Sequence, residues 1–133
     1  MIFIIFFVIG LSIFQFFFLN NILKIISFCL NLLYLLSAIL TYILNPGTVF
    51  KLGKNKKTKF CKECQYDYPF HKKLSHCYSC GICVIGIDHH CGVFGKCIAR
   101  KNIFWFYCFI VSTFISIFAC VATLVHILTE LPI

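Results

Sequence analysis

Residues 87–97 read IDHHCGVFGKC, which sets a carboxylate, two imidazoles and a thiol side by side at Asp88, His89, His90 and Cys91, with a further thiol at Cys97. A free thiol ionises near pH ~8.5, and an adjacent imidazolium brings that into the neutral range. A Cys–His pair oriented by a carboxylate is the arrangement of an activated nucleophile. Metal ligation is the competing use of the same side chains, and the surrounding cysteines make it a serious one.

Seven of the ten cysteines fall within residues 61–97. The order is Cys61-x2-Cys64, His76-Cys77-x2-Cys80-x2-Cys83, His89-His90-Cys91 and Cys97. Repeated CxxC pairs with interspersed histidines are zinc-site spacing, because two thiolates on one tight turn share a tetrahedral ion. Two zinc ions need about eight ligands, and with His71, His76, His89 and His90 the segment offers eleven candidates. Some side chains are therefore spare, and Cys91 is the surplus thiol with the most reactive neighbours. The 37 residues from Cys61 to Cys97 are too few for a useful hydrophobic core, so metal must supply much of the folding free energy. Short strands, tight turns and little regular structure are expected, with Gly81, Gly86, Gly92 and Gly95 at the bends.

The elements that hold this segment are apolar. Of the 133 residues 61% are hydrophobic, 17 are Phe, and the formal charge is +8. Residues 2–19 and 103–128 carry no Asp, Glu, Lys or Arg, and residues 22–44 carry only Lys24. Each stretch matches the roughly 17–25 residues a helix needs to cross hydrocarbon. Three spans follow. The first lacks the basic n-region and small-residue cleavage site of a signal peptide and reads as a retained span. Asn20-Asn21 leaves a tight antiparallel hairpin between spans one and two. Eleven of the twelve Lys and Arg lie between Lys51 and Lys101, which by the positive-inside rule puts that segment in the cytosol. Seven thiols there argue against disulfides. The basic run Lys51, Lys54, Lys56, Lys57 and Lys59 is expected on anionic headgroups of the bilayer rather than on nucleic acid. Cys29, Cys108 and Cys120 read as apolar thiols within spans, His126 as a helix-end or interfacial residue, His71 as a solvated loop residue, and Tyr66, Tyr68 and Phe70 as interfacial anchors.

Asp88-His89-His90-Cys91, together with Cys61, Cys64, Pro69, His76-Cys77, Cys80, Cys83, Cys97, Asn102 and Phe106, resembles the DHHC protein S-acyltransferases (palmitoyltransferases). Asn45-Pro46-Gly47 after the second span is similar to that family's Asp-Pro-Gly element. The resemblance implies two structural zinc ions on interleaved ligands: Cys61, Cys64, His76 and Cys83 for one, Cys77, Cys80, His90 and Cys97 for the other. It leaves Cys91 free as the nucleophile, His89 as general base and Asp88 as its orienting carboxylate. It implies acyl-CoA, typically palmitoyl-CoA, as co-substrate, with Arg100 and Lys101 as candidate phosphate contacts. Cysteine-bearing membrane-associated proteins would be the acceptors.

The expected architecture is an α-helical integral membrane protein with three transmembrane helices and a small, irregular, two-zinc Cys-rich cytosolic module between the second and third. Its parts are residues 1–47, a transmembrane hairpin ending in the Asn-Pro-Gly element; residues 48–102, the basic linker and zinc module; and residues 103–133, the third span and a short tail. An endomembrane location, ER or Golgi, is expected. The sequence departs from the family at Gly92-Val93, where Pro-Trp is usual, and at Lys96, where Asn is common. It also ends after the third span where relatives have at least four, so a short form assisted by an accessory subunit or a homo-oligomer is expected. Two functional classes stay open: an acyltransferase working through Cys91, and a zinc-stabilised membrane adaptor of the same family that transfers nothing.

Overall fold

The apolar stretches form helices because they are long runs of Leu, Ile and Phe without an internal proline, and each stops at an identifiable signal. In the computed structural model, which describes residues 2–49 and 57–130, α1 is Ile2–Phe18, α2 is Asn21–Ile43 and α3 is Ile103–Glu130. Lys51, Lys54 and Lys56 of the basic run, and the tail from residue 131, lie outside the described residues. Asn20 caps α2, its Oδ1 accepting the Leu23 N–H at 3.0 Å, which satisfies one of the helix's orphan donors. Pro46, lacking an N–H, stops α2 three residues after Ile43.

Two of these helices, Asn21–Ile43 and Ile103–Thr129, are long and apolar enough to cross a membrane, with only 28% and 22% of their most apolar windows buried. A core helix of a soluble protein hides its apolar face. Here Phe28, Ile43, Phe104, Phe114 and Phe118 are all largely exposed, as suits a helix whose solvent is hydrocarbon. The 17 residues of α1 rise about 26 Å against a hydrocarbon core of ~30 Å.

The chain divides into two compact units, one of Met1–Ile39 with Tyr107–Ile133, the other of Leu40–Phe106. In the first, the Asn31 side-chain amide donates to Ser12 Oγ at 2.9 Å and Gln15 Oε1 at 3.2 Å, which ties α1 to α2 through groups that have no water partner in an apolar setting. The rings of Tyr34 and Phe109 meet at 5.0 Å between centroids. Cys29 is exposed on α2 rather than packed inside, and His126 is exposed near the end of α3.

The second unit is more regular than its glycine and cysteine content leads one to expect. It holds three antiparallel two-stranded hairpins: β1 (Thr58–Cys61) with β2 (Tyr66–Pro69), β3 (Leu74–Cys77) with β4 (Ile82–Ile85), and β5 (Ile87–Cys91) with β6 (Lys96–Ala99). Each first strand ends on a cysteine, and the pairs Cys61–Tyr66, Cys77–Ile82 and Cys91–Lys96 close the ladders. The four-residue loops between them share one conformation at their fourth position, with positive φ at Gln65 (56°), Gly81 (65°) and Gly95 (62°). A left-handed residue there returns the chain into the second strand, and glycine adopts it without strain at two of the three.

Asn45-Pro46-Gly47 joins this unit to the end of α2. Asn45 Oδ1 accepts the N–H groups of Gly47 and Thr48, both at 2.8 Å. The chain then runs antiparallel to β4, with Ile85 N–H donating to Gly47 O at 3.0 Å and Val49 N–H to Cys83 O at 3.2 Å. Gly47 has φ of 116°, and a Cβ there would meet Ile85 O at 3.3 Å, so a side chain at this position would push the strap off the strand. Tyr68 corrects an expectation: it is buried with Leu74 and Cys83, whereas Tyr66 and Phe70 are exposed. Tyr68 faces the cysteines, its hydroxyl bonding to the Cys64 side chain.

Candidate functional site

Strand alternation gives the two adjacent histidines different work. Successive residues of a strand point to opposite faces, so His90 projects away from the face shared by His89 and Cys91. A register irregularity between Ile87 and His89 leaves Asp88 as the extra residue of a bulge, a device that re-aims side chains. Its carboxylate turns onto the neighbouring ring, with Asp88 Oδ2 2.9 Å from His89 Nδ1. With Nδ1 so engaged, Nε2 is the ring atom available to take a proton. The His89 ring also packs edge-on against Phe106, centroids 5.1 Å apart, and Phe106 meets Phe94 at 6.3 Å. Cys91 is buried.

His90 turns instead to a group of thiols. Its Nδ1 is 3.1 Å from Cys80 Sγ and 3.7 Å from Cys77 Sγ, and Cys80 Sγ is 3.3 Å from Cys97 Sγ. The second group repeats the pattern: His76 Nδ1 lies 3.7, 3.2 and 3.8 Å from the sulfurs of Cys61, Cys64 and Cys83, and Cys64 is 3.8 Å from Cys83. Within each group the ligand atoms all lie within 4.8 Å of one another. Tetrahedral zinc with Zn–S of ~2.3 Å and Zn–N of ~2.0–2.1 Å sets S···S edges of about 3.8 Å and S···N edges of about 3.5 Å. Both groups are compatible with a zinc ion on that test. All ten cysteines are free of disulfides.

The electrostatics point the same way. Burial, with Cys61 and Cys64 beside it, pushes the Cys83 thiol up to about 12. Burial likewise raises Cys97, next to Cys80 and Cys77. Burial opposes ionisation of Cys77 too, but the Cys80 backbone N–H, the Cys97 and His90 side chains and Cys80 bring it down to about 7. Cys61 is lowered chiefly by the Cys64 backbone N–H. Three thiolates cannot share so small a space unless a cation offsets their repulsion, and a divalent ion does so. Each group sits in its own apolar patch, Tyr68, Leu74 and Cys83 for one, Cys77, Val84, Cys97 and Ala99 for the other.

The arrangement has an internal period that single positions do not reveal. His76, Cys77, Cys80, Gly81 and Cys83 recur fourteen positions on as His90, Cys91, Phe94, Gly95 and Cys97. In the first two hairpins the end of the first strand and the loop supply a pair of thiols, Cys61 with Cys64 and Cys77 with Cys80. The His and the second-strand Cys that complete each group come from the next hairpin. The third loop offers Cys91 with Phe94, and the chain then enters α3. Cys91 therefore stands where a loop ligand stands, without a second thiol or a following hairpin.

Two residues outside the expected catalytic set fasten this third hairpin. Asn102, fully buried, accepts the Ala99 N–H at 2.8 Å and donates to Cys97 O at 3.1 Å and Thr41 O at 3.4 Å. The Lys96 ammonium donates to the carbonyls of Tyr42 and Leu44 at 2.5 and 2.8 Å. Spacing could not have found either contact, since both reach more than fifty residues back. Burial lowers the Lys96 pKa, against the pull of Cys97 and Cys80. Arg100 and Lys101 are exposed at the opposite end of this hairpin from Cys91, where Ala99 pairs with Ile87. They line a cavity of about 410 Å³ with Gly47, Thr48, His71 and Ile85. His71 is a partly exposed loop residue, its Nδ1 accepting the Lys73 N–H at 3.1 Å.

The comparisons with known proteins converge on this segment. Mouse palmitoyltransferase ZDHHC18 is 41% identical over 81 residues, covering 59% of this chain and 21% of the relative. The Arabidopsis thaliana probable protein S-acyltransferase 3 is 40% identical over 83 residues, covering 62% and 20%. Zebrafish (Danio rerio) palmitoyltransferase ZDHHC14 is 38% identical over 77 residues, covering 57% and 15%. The chain spans about a fifth of the length of the curated relatives it matches. Residues 54–132 match the family model described as DHHC palmitoyltransferase, a stretch that holds both Cys/His groups and Asp88-His89-His90-Cys91, and with it the chain belongs to the DHHC palmitoyltransferase family.

Proposed function

We propose that the chain is a protein S-acyltransferase that moves a long-chain acyl group from acyl-CoA to cysteines of membrane-associated proteins through an acyl-Cys91 intermediate. The observation that carries this reading is that Cys91 is the one thiol of the module outside both Cys/His groups, on the same strand face as a histidine held by Asp88 at 2.9 Å. The relatives' names, palmitoyltransferase and protein S-acyltransferase, agree with it.

His89 Nε2 accepts the Cys91 proton while Asp88 steadies the ring and the imidazolium that results. The Cys91 sulfur attacks the thioester carbonyl carbon, the carbon–sulfur bond to CoA breaks, and the departing CoA thiolate takes the proton back from His89. In the second half an acceptor cysteine, deprotonated by the same ring, attacks the acyl-Cys91 carbonyl, and Cys91 leaves as the thiolate. Both halves exchange one thioester for another, so positioning contributes more than acid–base strength. Cys61, Cys64, His76 and Cys83 would hold one zinc ion, and Cys77, Cys80, His90 and Cys97 the other; when bound, zinc supplies the cross-links that let so small a module fold. His90 on its metal would fix the strand on which Cys91 rides.

Arg100, Lys101 and His71 are proposed to contact CoA phosphates in the cavity they line. Arg100 directly follows β6, four residues on from Lys96, about 13 Å at ~3.3 Å per residue, a separation that the extended pantetheine arm spans. In the same reading α1, α2 and α3 are three spans, the module faces the cytosol of an ER or Golgi membrane, and an accessory subunit or a second copy is a candidate partner. The test is incubation of the purified chain with palmitoyl-CoA and mass spectrometry of the Cys91 peptide. A hydroxylamine-labile adduct of one acyl chain, absent from Cys91→Ser, is expected. No adduct, alone or with candidate partner subunits, would leave the adaptor class standing.

A further inference from the structure

We infer that Lys96 is a positioning residue for Cys91, an ammonium clamp that holds the β5–β6 loop against the last turn of α2. The inference rests on Cys91 being the nucleophile, and it begins from a gap in the helix. The Tyr42 carbonyl would normally accept the N–H of the residue four positions on, which is Pro46 and has none. Lys96 Nζ takes that place, donating to Tyr42 O and to Leu44 O at 2.8 Å, and lies 5.9 Å from the Tyr42 ring centroid. A cation at a helix C-terminus also meets the negative end of the helix dipole.

The loop needs such a fastening. The first two loops each contribute a second thiol, Cys64 and Cys80, to a Cys/His group. The third, Gly92-Val93-Phe94-Gly95, contributes none and holds two glycines, whose backbone freedom is the largest of any residue. Cys91 and Lys96 are the last cross-strand pair before that loop. A bond from Lys96 to the helix end therefore fixes the strand position opposite the nucleophile, on the side that no ligand group secures.

The experiment uses the full chain, zinc-loaded, in phosphatidylcholine nanodiscs, as Lys96→Met, which keeps the stem and removes the charge, and as Lys96→Arg, which can donate to both carbonyls. Zinc content, the rate of Cys91 alkylation by iodoacetamide read peptide by peptide, and palmitoyl-CoA loading are measured. For Lys96→Met the expected result is unchanged zinc, Cys91 alkylation about tenfold faster, and a loading kcat about tenfold lower with KM nearly constant. Lys96→Arg should return both rates to within about threefold of the unmodified chain. Equal alkylation of Lys96→Met and the unmodified chain would overturn the clamp. So would loss of zinc from Lys96→Met, which would mean a role in folding through Cys97, or failure of arginine to rescue. If the unmodified chain loads no acyl group, alone or with candidate partner subunits, the acyltransferase reading fails, while the alkylation rates still decide whether Lys96 secures Cys91.

Discussion

Replacing Asn102 by alanine tests how the third hairpin is held and should strike one metal group and not the other. The side chain is fully buried. It satisfies the Ala99 N–H at 2.8 Å, the Cys97 carbonyl at 3.1 Å and, more weakly, the Thr41 carbonyl at 3.4 Å. Truncation strands two well-bonded buried backbone groups at a cost of ~1–3 kcal/mol each, so about 2–6 kcal/mol in all. The Cys97 carbonyl belongs to a residue of the Cys77, Cys80, His90 and Cys97 group. The lower bound, felt as lost zinc affinity there, is a factor of about 30, within the ~10–100-fold range of supporting residues at metal sites. The assay is chelator competition with site-resolved alkylation, which reports each cysteine as its zinc leaves. Cys77, Cys80 and Cys97 should become reactive at lower chelator concentration than in the unmodified chain, while Cys61, Cys64 and Cys83 stay protected. Asn102→Asp keeps an acceptor for the Ala99 N–H and should fall between. Simultaneous exposure of both groups, or earlier exposure of the Cys61 group, would refute the reasoning.

Other consequences separate the roles of neighbouring residues. His90→Ala should lose zinc and acyl loading together, whereas His89→Ala should keep zinc and load about 10²–10⁴-fold more slowly; atomic emission and acyl-adduct kinetics distinguish them. Zinc affinity should fall with pH. Cys83, pushed up to about 12, and Cys97, also raised, stay protonated at neutral pH without metal, so each ion must displace at least one proton. Affinity then drops at least about tenfold for each unit that pH falls, measured by chelator titration between pH 8 and 6. Phe94→Cys rebuilds a loop CxxC pair with Cys91, and micromolar zinc should then slow acyl loading of this variant but not of the unmodified chain.

The helices were legible because hydrocarbon imposes a long uniform pattern, and α2 and α3 begin and end within two residues of the apolar stretches. The hairpins were not, since four-residue strands carry too few side chains for alternation to stand out among cysteines and glycines. Spacing left the pairing of ligands open. The interleaved sets came from the resemblance, and they are the sets of residues that the folded chain brings together. Lys96 and Asn102 looked like a departure and a family letter. Their contacts with the end of α2 cross more than fifty residues, and no local pattern encodes such a distance. Tyr68 could not be told from Tyr66 by residue type alone.

The fourteen-residue recurrence between the second and third hairpins gives the proposed nucleophile its place beside a residue of a Cys/His group. The middle hairpin does both jobs: Cys77 and Cys80 go to one group, and His76 and Cys83 complete the preceding one. The first hairpin supplies only a thiol pair and the third only a histidine and a second-strand cysteine. A series built this way always has one loop left over at its last member. Left unchanged, that loop would keep two thiols able to capture metal. At the position matching the second thiol stands Phe94, which packs on Phe106, the ring that also contacts His89. A phenylalanine at this position thus leaves Cys91 without a second thiol and backs the Phe106 ring that packs on His89. His90, still serving the preceding group, holds the strand. In the proposed reading, the adjacency of His89, His90 and Cys91 follows from strand alternation acting on the last of three similar hairpins, with the position that joins no Cys/His group serving as the nucleophile.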